Sequence, residues 1–145
     1  MSRKEAYLEN IAKTQKELEN KILQVELVLD GASAENLHLE TKSECSFGKW
    51  LYQDEKVKHH LGFQQYEKLD LLHTQWHTNY AKIYQIFHQK KGLFGKLLGG
   101  SKPSPQELDK AKAYLDDLKV VTDELIRQLL SCKRRITALS ESKFT

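Results

Sequence analysis

Apolar residues recur by threes and fours along three long stretches of this chain. Leu8, Ile11, Leu18, Ile22, Val25 and Leu29 form the first row, with the polar Gln15 in its remaining slot. Such spacing keeps side chains on one face of an α-helix. It predicts a first helix over about 3–29, stopped at Asp30-Gly31. A second row, Tyr66, Leu69, His73, Trp76, Tyr80, Ile83 and Phe87, predicts a helix over about 64–91, and here the polar slot holds His73. The third row runs from Leu108 through Ala111, Leu115, Leu118, Thr122, Leu125, Leu129, Cys132 and Ile136 to Leu139. It predicts a helix over about 105–141, with Ser104 as N-cap and Pro105 at the first helical position.

The connections differ in character. Between the first two rows lies "CSFGKWLY", Cys45 to Tyr52, whose Phe47, Trp50 and Leu51 share one face of a short predicted helix over about 45–53, with Ser43 as a candidate cap. Between the last two lies "KKGLFGKLLGGSKPSP", too rich in glycine for a helix and read as a loop whose Leu93, Phe94, Leu97 and Leu98 plug the bundle end. The expected architecture is all-α, a four-helix bundle with an additional short helix carrying the cysteine motif, in one domain over residues 1–145.

Composition narrows the function classes. Signs alternate along the chain and the net charge is only +3, which argues against a nucleic-acid footprint. No apolar run approaches the roughly 18 residues of a membrane span, and the first 30 residues, studded with Lys, Glu and Gln, exclude a signal peptide. Two scattered cysteines fit a reducing cytoplasm rather than a disulfide framework. No nucleophile elbow, phosphate-cradling glycine loop, H-E-x-x-H or paired Glu-x-x-His motif is present, so no enzyme is expected.

What remains is a set of polar residues on rows that ought to be apolar. His73 and His77 form H-x-x-x-H, which places two imidazoles on adjacent turns of one helix, the spacing used to grip a transition metal. Taken alone, the pair reads as a hydrogen-bonded core feature, and Cys45 as a small buried hydrophobe, as most free cysteines are. Together, one thiolate and two neutral imidazoles make a good donor set for zinc. The neighbours of Cys45 fit that role: Phe47, Trp50 and Leu51 anchor its segment, and Gly48 leaves room for close backbone approach. His59-His60 reads as a solvated pair, His88 lies too far along its helix to join the site, and Cys132 reads as core.

These residues carry a resemblance. "CSFGKWLY" is similar to the C-x-[LF]-G-x-W-[LY] signature of the chemoreceptor zinc-binding (CZB) domain, and "HTQWH", 28 residues on, is similar to that family's H-x-x-x-H helix. The resemblance implies a bacterial four-helix bundle that regulates chemotaxis or cyclic-di-GMP signalling, holding zinc with three histidines and the signature cysteine. By position, Cys45, His73 and His77 would be three of the four ligands. The fourth would be a histidine on the first helix, and this chain has none before His38. Gln15, Glu19 and His38 are the candidates for that place.

The expected function is therefore a zinc-responsive sensory module of bacterial signalling, cytoplasmic and homodimeric, acting through contacts with another signalling protein. The alternative is a degenerate, metal-free bundle serving as a dimerisation or adaptor element, with Gln15, His73 and His77 in a buried hydrogen-bond network.

Overall fold

The computed structural model describes residues 2–89 and 102–144. Five helices lie among them: α1 (Arg3–Leu29), α2 (Ser46–Gln53), α3 (Glu55–Leu61), α4 (Phe63–Phe87) and α5 (Pro105–Ala138). Short 3₁₀ turns occupy Ala34–Asn36 and Glu141–Phe144. The second expected long helix ends at Phe87 with His88 as its C-cap, short of the expected 91, while residues 90 and 91 and the expected loop residues Leu93, Phe94, Leu97 and Leu98 lie outside the described residues.

The α5 helix is the axis of the bundle. It packs against α4 over the largest interface and against α1 over the next largest. Both neighbours run antiparallel to it: Trp76 meets Thr122 and Gln65 meets Ser131 on the α4 side, while Lys4 reaches Thr137 and Glu26 meets Lys119 on the α1 side. α1 and α4 therefore run parallel, on two flanks of α5. The fourth position of the bundle is filled by α2 and α3 in series, α2 lying against α1 and α3 against both α4 and α5. The sequence reading anticipated one short helix here. Asp54 makes two of them by leaving helical conformation, closing α2 and capping α3 with its side chain on the Lys56 N–H.

The apolar rows of the longer helices become buried stripes. Leu69, His73, Trp76, Tyr80 and Ile83 face inward on α4 as expected, but Ile86 takes the last buried place in front of Phe87, which is only half-buried, as is Tyr66. Ala111, Leu115, Leu118, Thr122, Leu125, Leu129, Cys132 and Ile136 do so on α5. That helix opens as expected at Ser104, with Pro105 behind it and a capping box completed by Glu107. α1 is different. Its buried positions are Tyr7, Ile11, Thr14, Leu18, Val25 and Val28, so the inward stripe is turned by about one residue from the expected row and Thr14, not Gln15, is its polar member. Cys45, not Ser43, is the N-cap of α2.

His60 corrects another expectation. It is buried, with its Nδ1 2.8 Å from the Tyr7 hydroxyl, and Phe144 of the C-terminal turn packs on both rings. His59 stays exposed. His88 turns away from α4's inner face, its Nε2 bonding the Ala34 carbonyl at 3.0 Å.

Between the two stripes, the buried Trp76 Nε1–H of α4 donates to Thr122 Oγ1 of α5 at 2.9 Å. Thr122→Val keeps the shape but strands that N–H, so a loss of about 1–3 kcal/mol is expected in denaturant melts.

Candidate metal centre

Cys45, His73 and His77 converge on one point. One ligating atom from each, the Cys45 Sγ and a ring nitrogen of each histidine, lies within 4.8 Å of the others. Cys45 Sγ is 3.2 Å from His73 Nε2, which is 3.0 Å from His77 Nε2. The histidines owe this to α4, whose 3.6-residue turn stacks positions 73 and 77. The cysteine owes it to the chain entering α2.

That entry explains the motif around Cys45. As N-cap, the Cys45 thiol accepts the Gly48 N–H at 3.3 Å and donates toward the Lys42 carbonyl at 3.5 Å. The same carbonyl oxygen sits 1.6 Å from where a Gly48 Cβ would stand, so only glycine lets residues 42–45 cross α2 this closely. Phe47, buried, sets its ring edge-on to His73 with centroids 4.7 Å apart. Trp50 packs on Tyr7 and Phe47 and so ties α2 to α1.

The outward nitrogens of both imidazoles are held. His77 Nδ1 is 3.1 Å from the Glu40 carbonyl, and a carbonyl only accepts, so this nitrogen carries the proton. His73 Nδ1 is 3.1 Å from the Tyr52 hydroxyl, which itself lies 2.5 Å from Asp70 Oδ1. Burial raises the Asp70 pKa, but the Tyr52 hydroxyl and the Lys42 ammonium outweigh it and hold the carboxyl below its usual range. It is thus ionised and accepts. Burial and the Asp70 charge raise the Tyr52 pKa far above its ordinary value, so the phenol keeps its proton and gives it to Asp70. The Tyr52 oxygen is then left to accept from His73 Nδ1–H. Both Nε2 atoms consequently turn bare lone pairs toward the Cys45 sulfur. Such partners on the far nitrogen are the usual support of metal-ligating histidines.

Burial is also the first cause that pushes His73 down to about 3, helped by His77 and Lys42. It lowers His77 as well, against the Glu40 carbonyl. Burial raises the Cys45 thiol, the Gly48 N–H opposing and the Glu40 charge adding to it. Without a cation the imidazoles are neutral and the thiol protonated. A borderline cation that accepts two nitrogens and a sulfur suits these donors, and zinc binding would expel the thiol proton.

An open cavity of about 450 Å³ adjoins the three residues, between the middle of α1, residues 38–46 and α4. From α1 it is lined by Thr14, Glu17, Leu18, Asn20, Lys21 and Gln24. Neither Gln15 nor Glu19 is among its lining residues. The turned stripe of α1 carries both away, and Gln15 Nε2 donates to Glu19 Oε1 at 3.3 Å on the surface. His38 does line the cavity, held near it by the buried Leu37. Sequence reading missed Tyr52, Asp70, Lys42 and Glu40. Tyr52 ends the quoted motif and Asp70 stands one turn before His73, but nothing in their spacing announces a hydrogen-bonded relay.

Two outcomes are expected. Gly48→Ala should cost about 1–3 kcal/mol in denaturant melts by forcing the Lys42 backbone aside. In chelator, stability should fall with acidification below about 6.5. There the unfolded chain takes up histidine protons that the folded His73, with its pKa near 3, refuses, so the unfolded state binds more protons and gains. Stability that instead rises on acidification through this window would contradict neutral imidazoles.

Comparison with known proteins bears on the same segment. Neither curated proteins nor solved structures give a match. Residues 16–84 match the family model described as the chemoreceptor zinc-binding domain, a stretch that holds Cys45, His73 and His77 and runs from α1 to near the end of α4. With its cysteine motif and H-x-x-x-H helix brought to one point, this segment of the chain is similar to the chemoreceptor zinc-binding domain.

Proposed function

We propose that the chain is a zinc-responsive regulatory module of bacterial signalling, of the chemotaxis or cyclic-di-GMP kind, with Cys45, His73 and His77 as zinc ligands. One observation carries the reading: the far nitrogens of both histidines are committed to acceptors, so two lone pairs and a sulfur face one another with too few protons to go round. Lone pairs 3.0 Å apart repel; a cation between them resolves the conflict.

Zinc would supply a cross-link rather than a reaction. It would tie the N-terminus of α2 to the middle of α4, and α2 occupies the bundle position between α1 and α4. Occupancy would then favour one packing of α2 against its neighbours, which a partner protein could read. We take the module to be cytoplasmic, non-enzymatic and homodimeric. Among the described residues no helix is long and apolar enough to cross a membrane. Exposed Leu23 and Leu27 on α1 and Val120 on α5 offer apolar surface to a second copy.

Metal analysis of protein purified without a nickel column tests this most directly. About one zinc per chain is expected, lost in Cys45→Ala and His77→Ala. Tyr52→Phe, which keeps every ligand but frees the His73 Nδ1–H, should weaken zinc about 10–100-fold. A wild-type chain that takes up no zinc, even on addition, would leave the metal-free adaptor as the reading.

A further inference from the structure

Resting on the zinc reading, we propose that Glu40 is the fourth protein ligand, closing a Cys-His-His-Glu centre. Beyond the three convergent residues, the metal-capable side chains lining the cavity are Glu17, His38 and Glu40. Glu17 is already engaged: Oε2 accepts the Ser46 hydroxyl at 2.8 Å and Oε1 lies 3.9 Å from Lys13 Nζ. His38 brings no charge.

Glu40 differs from both. Its main chain is fixed against the site, because its own carbonyl holds the His77 Nδ1–H at 3.1 Å. Its side chain is exposed, and no hydrogen bond or ion pair engages its carboxylate among the described residues. The carboxylate is near enough for its charge to be felt at both Cys45 and His77, in each case after the larger effect of burial. Its oxygens lie outside the 4.8 Å cluster formed by the other three donors, so it closes the site by side-chain rotation.

Charge decides between the candidates. Zinc with one thiolate and two imidazoles carries a net charge of about +1, and adding a carboxylate brings it to about zero. A half-buried centre disfavours uncompensated charge, and carboxylate oxygen is an ordinary zinc donor at about 2.0–2.2 Å. With His38 as the ligand the positive charge would stay. In this chain the segment before the cysteine thus takes over the place that the family's first-helix histidine leaves empty.

Cobalt(II) and zinc titrations of the full chain test the assignment, comparing wild type with Glu40→Gln, Glu40→Ala, His38→Ala, Glu17→Gln and Cys45→Ala. Cobalt reports thiolate ligation by its charge-transfer band and four-coordination by the intensity of its ligand-field bands. Both Glu40 variants are expected to bind metal at least about tenfold more weakly. They should keep the thiolate band and lose ligand-field intensity, while His38→Ala and Glu17→Gln match wild type. Metal-free melting temperatures of the Glu40 variants should equal the wild-type value, since the side chain is exposed. Glu40 variants that bind as tightly as wild type with the same bands overturn the proposal, as does a loss that appears in His38→Ala instead. In both cases binding lost in Cys45→Ala keeps the zinc reading standing; a wild type that binds neither metal sinks the two together.

Discussion

The centre depends on where two protons sit. The Glu40 carbonyl fixes one on His77 Nδ1, and the Asp70–Tyr52 pair fixes the other on His73 Nδ1. Each bond is ordinary by itself. Their joint effect is to turn two lone pairs toward each other at 3.0 Å inside a half-buried site, beside a sulfur 3.2 Å from one of them. A site so arranged is prepared for a cation, because the geometry needed for coordination is maintained by partners that do not touch the metal.

The backbone near Cys45 is shaped by the same requirement. To bring a thiol to α4, residues 42–45 must cross α2 closely, and the missing Cβ of Gly48 is what permits it. Lys42 then serves twice. Its carbonyl receives the thiol, while its ammonium reaches Asp70 at 3.2 Å and Thr74 at 2.9 Å. The crossing segment is thereby attached to α4 through the residue that keeps Tyr52 a donor. Sulfur, phenol and imidazole are coupled by one lysine.

The match of residues 16–84 to the zinc-binding domain sits beside a departure from the ligand pattern that the resemblance implies. α1 presents Thr14, Glu17, Lys21 and Gln24 to the cavity, none of them a histidine. The segment from Leu37 to Cys45, pinned by a buried leucine at one end and an N-capping thiol at the other, runs along the side where a ligand is wanted. A site that loses a donor from a rigid helix can draw on a neighbouring segment only if that segment is already held in place, as this one is.

The sequence alone determined the stripes of α4 and α5. One row steps by threes and fours through the length of each, so one face is buried, save at the end of α4, where Ile86 is buried in place of its neighbour Phe87. It determined the capped start of α5 at Ser104, and it put His73, His77 and Cys45 together as one donor set, since an H-x-x-x-H pair and a thiol suit a single cation. α1 was ambiguous because Tyr7 and Leu8, and Val28 and Leu29, are apolar neighbours, allowing two stripes about one residue apart. Packing against α5 and α2 chose Tyr7, Thr14 and Val28, and carried Gln15 and Glu19 to the surface. The burial of His60 under Phe144 and the approach of Glu40 to His77 were likewise decided by tertiary structure. Each rests on contacts between residues far apart in the chain, which local periodicity does not encode.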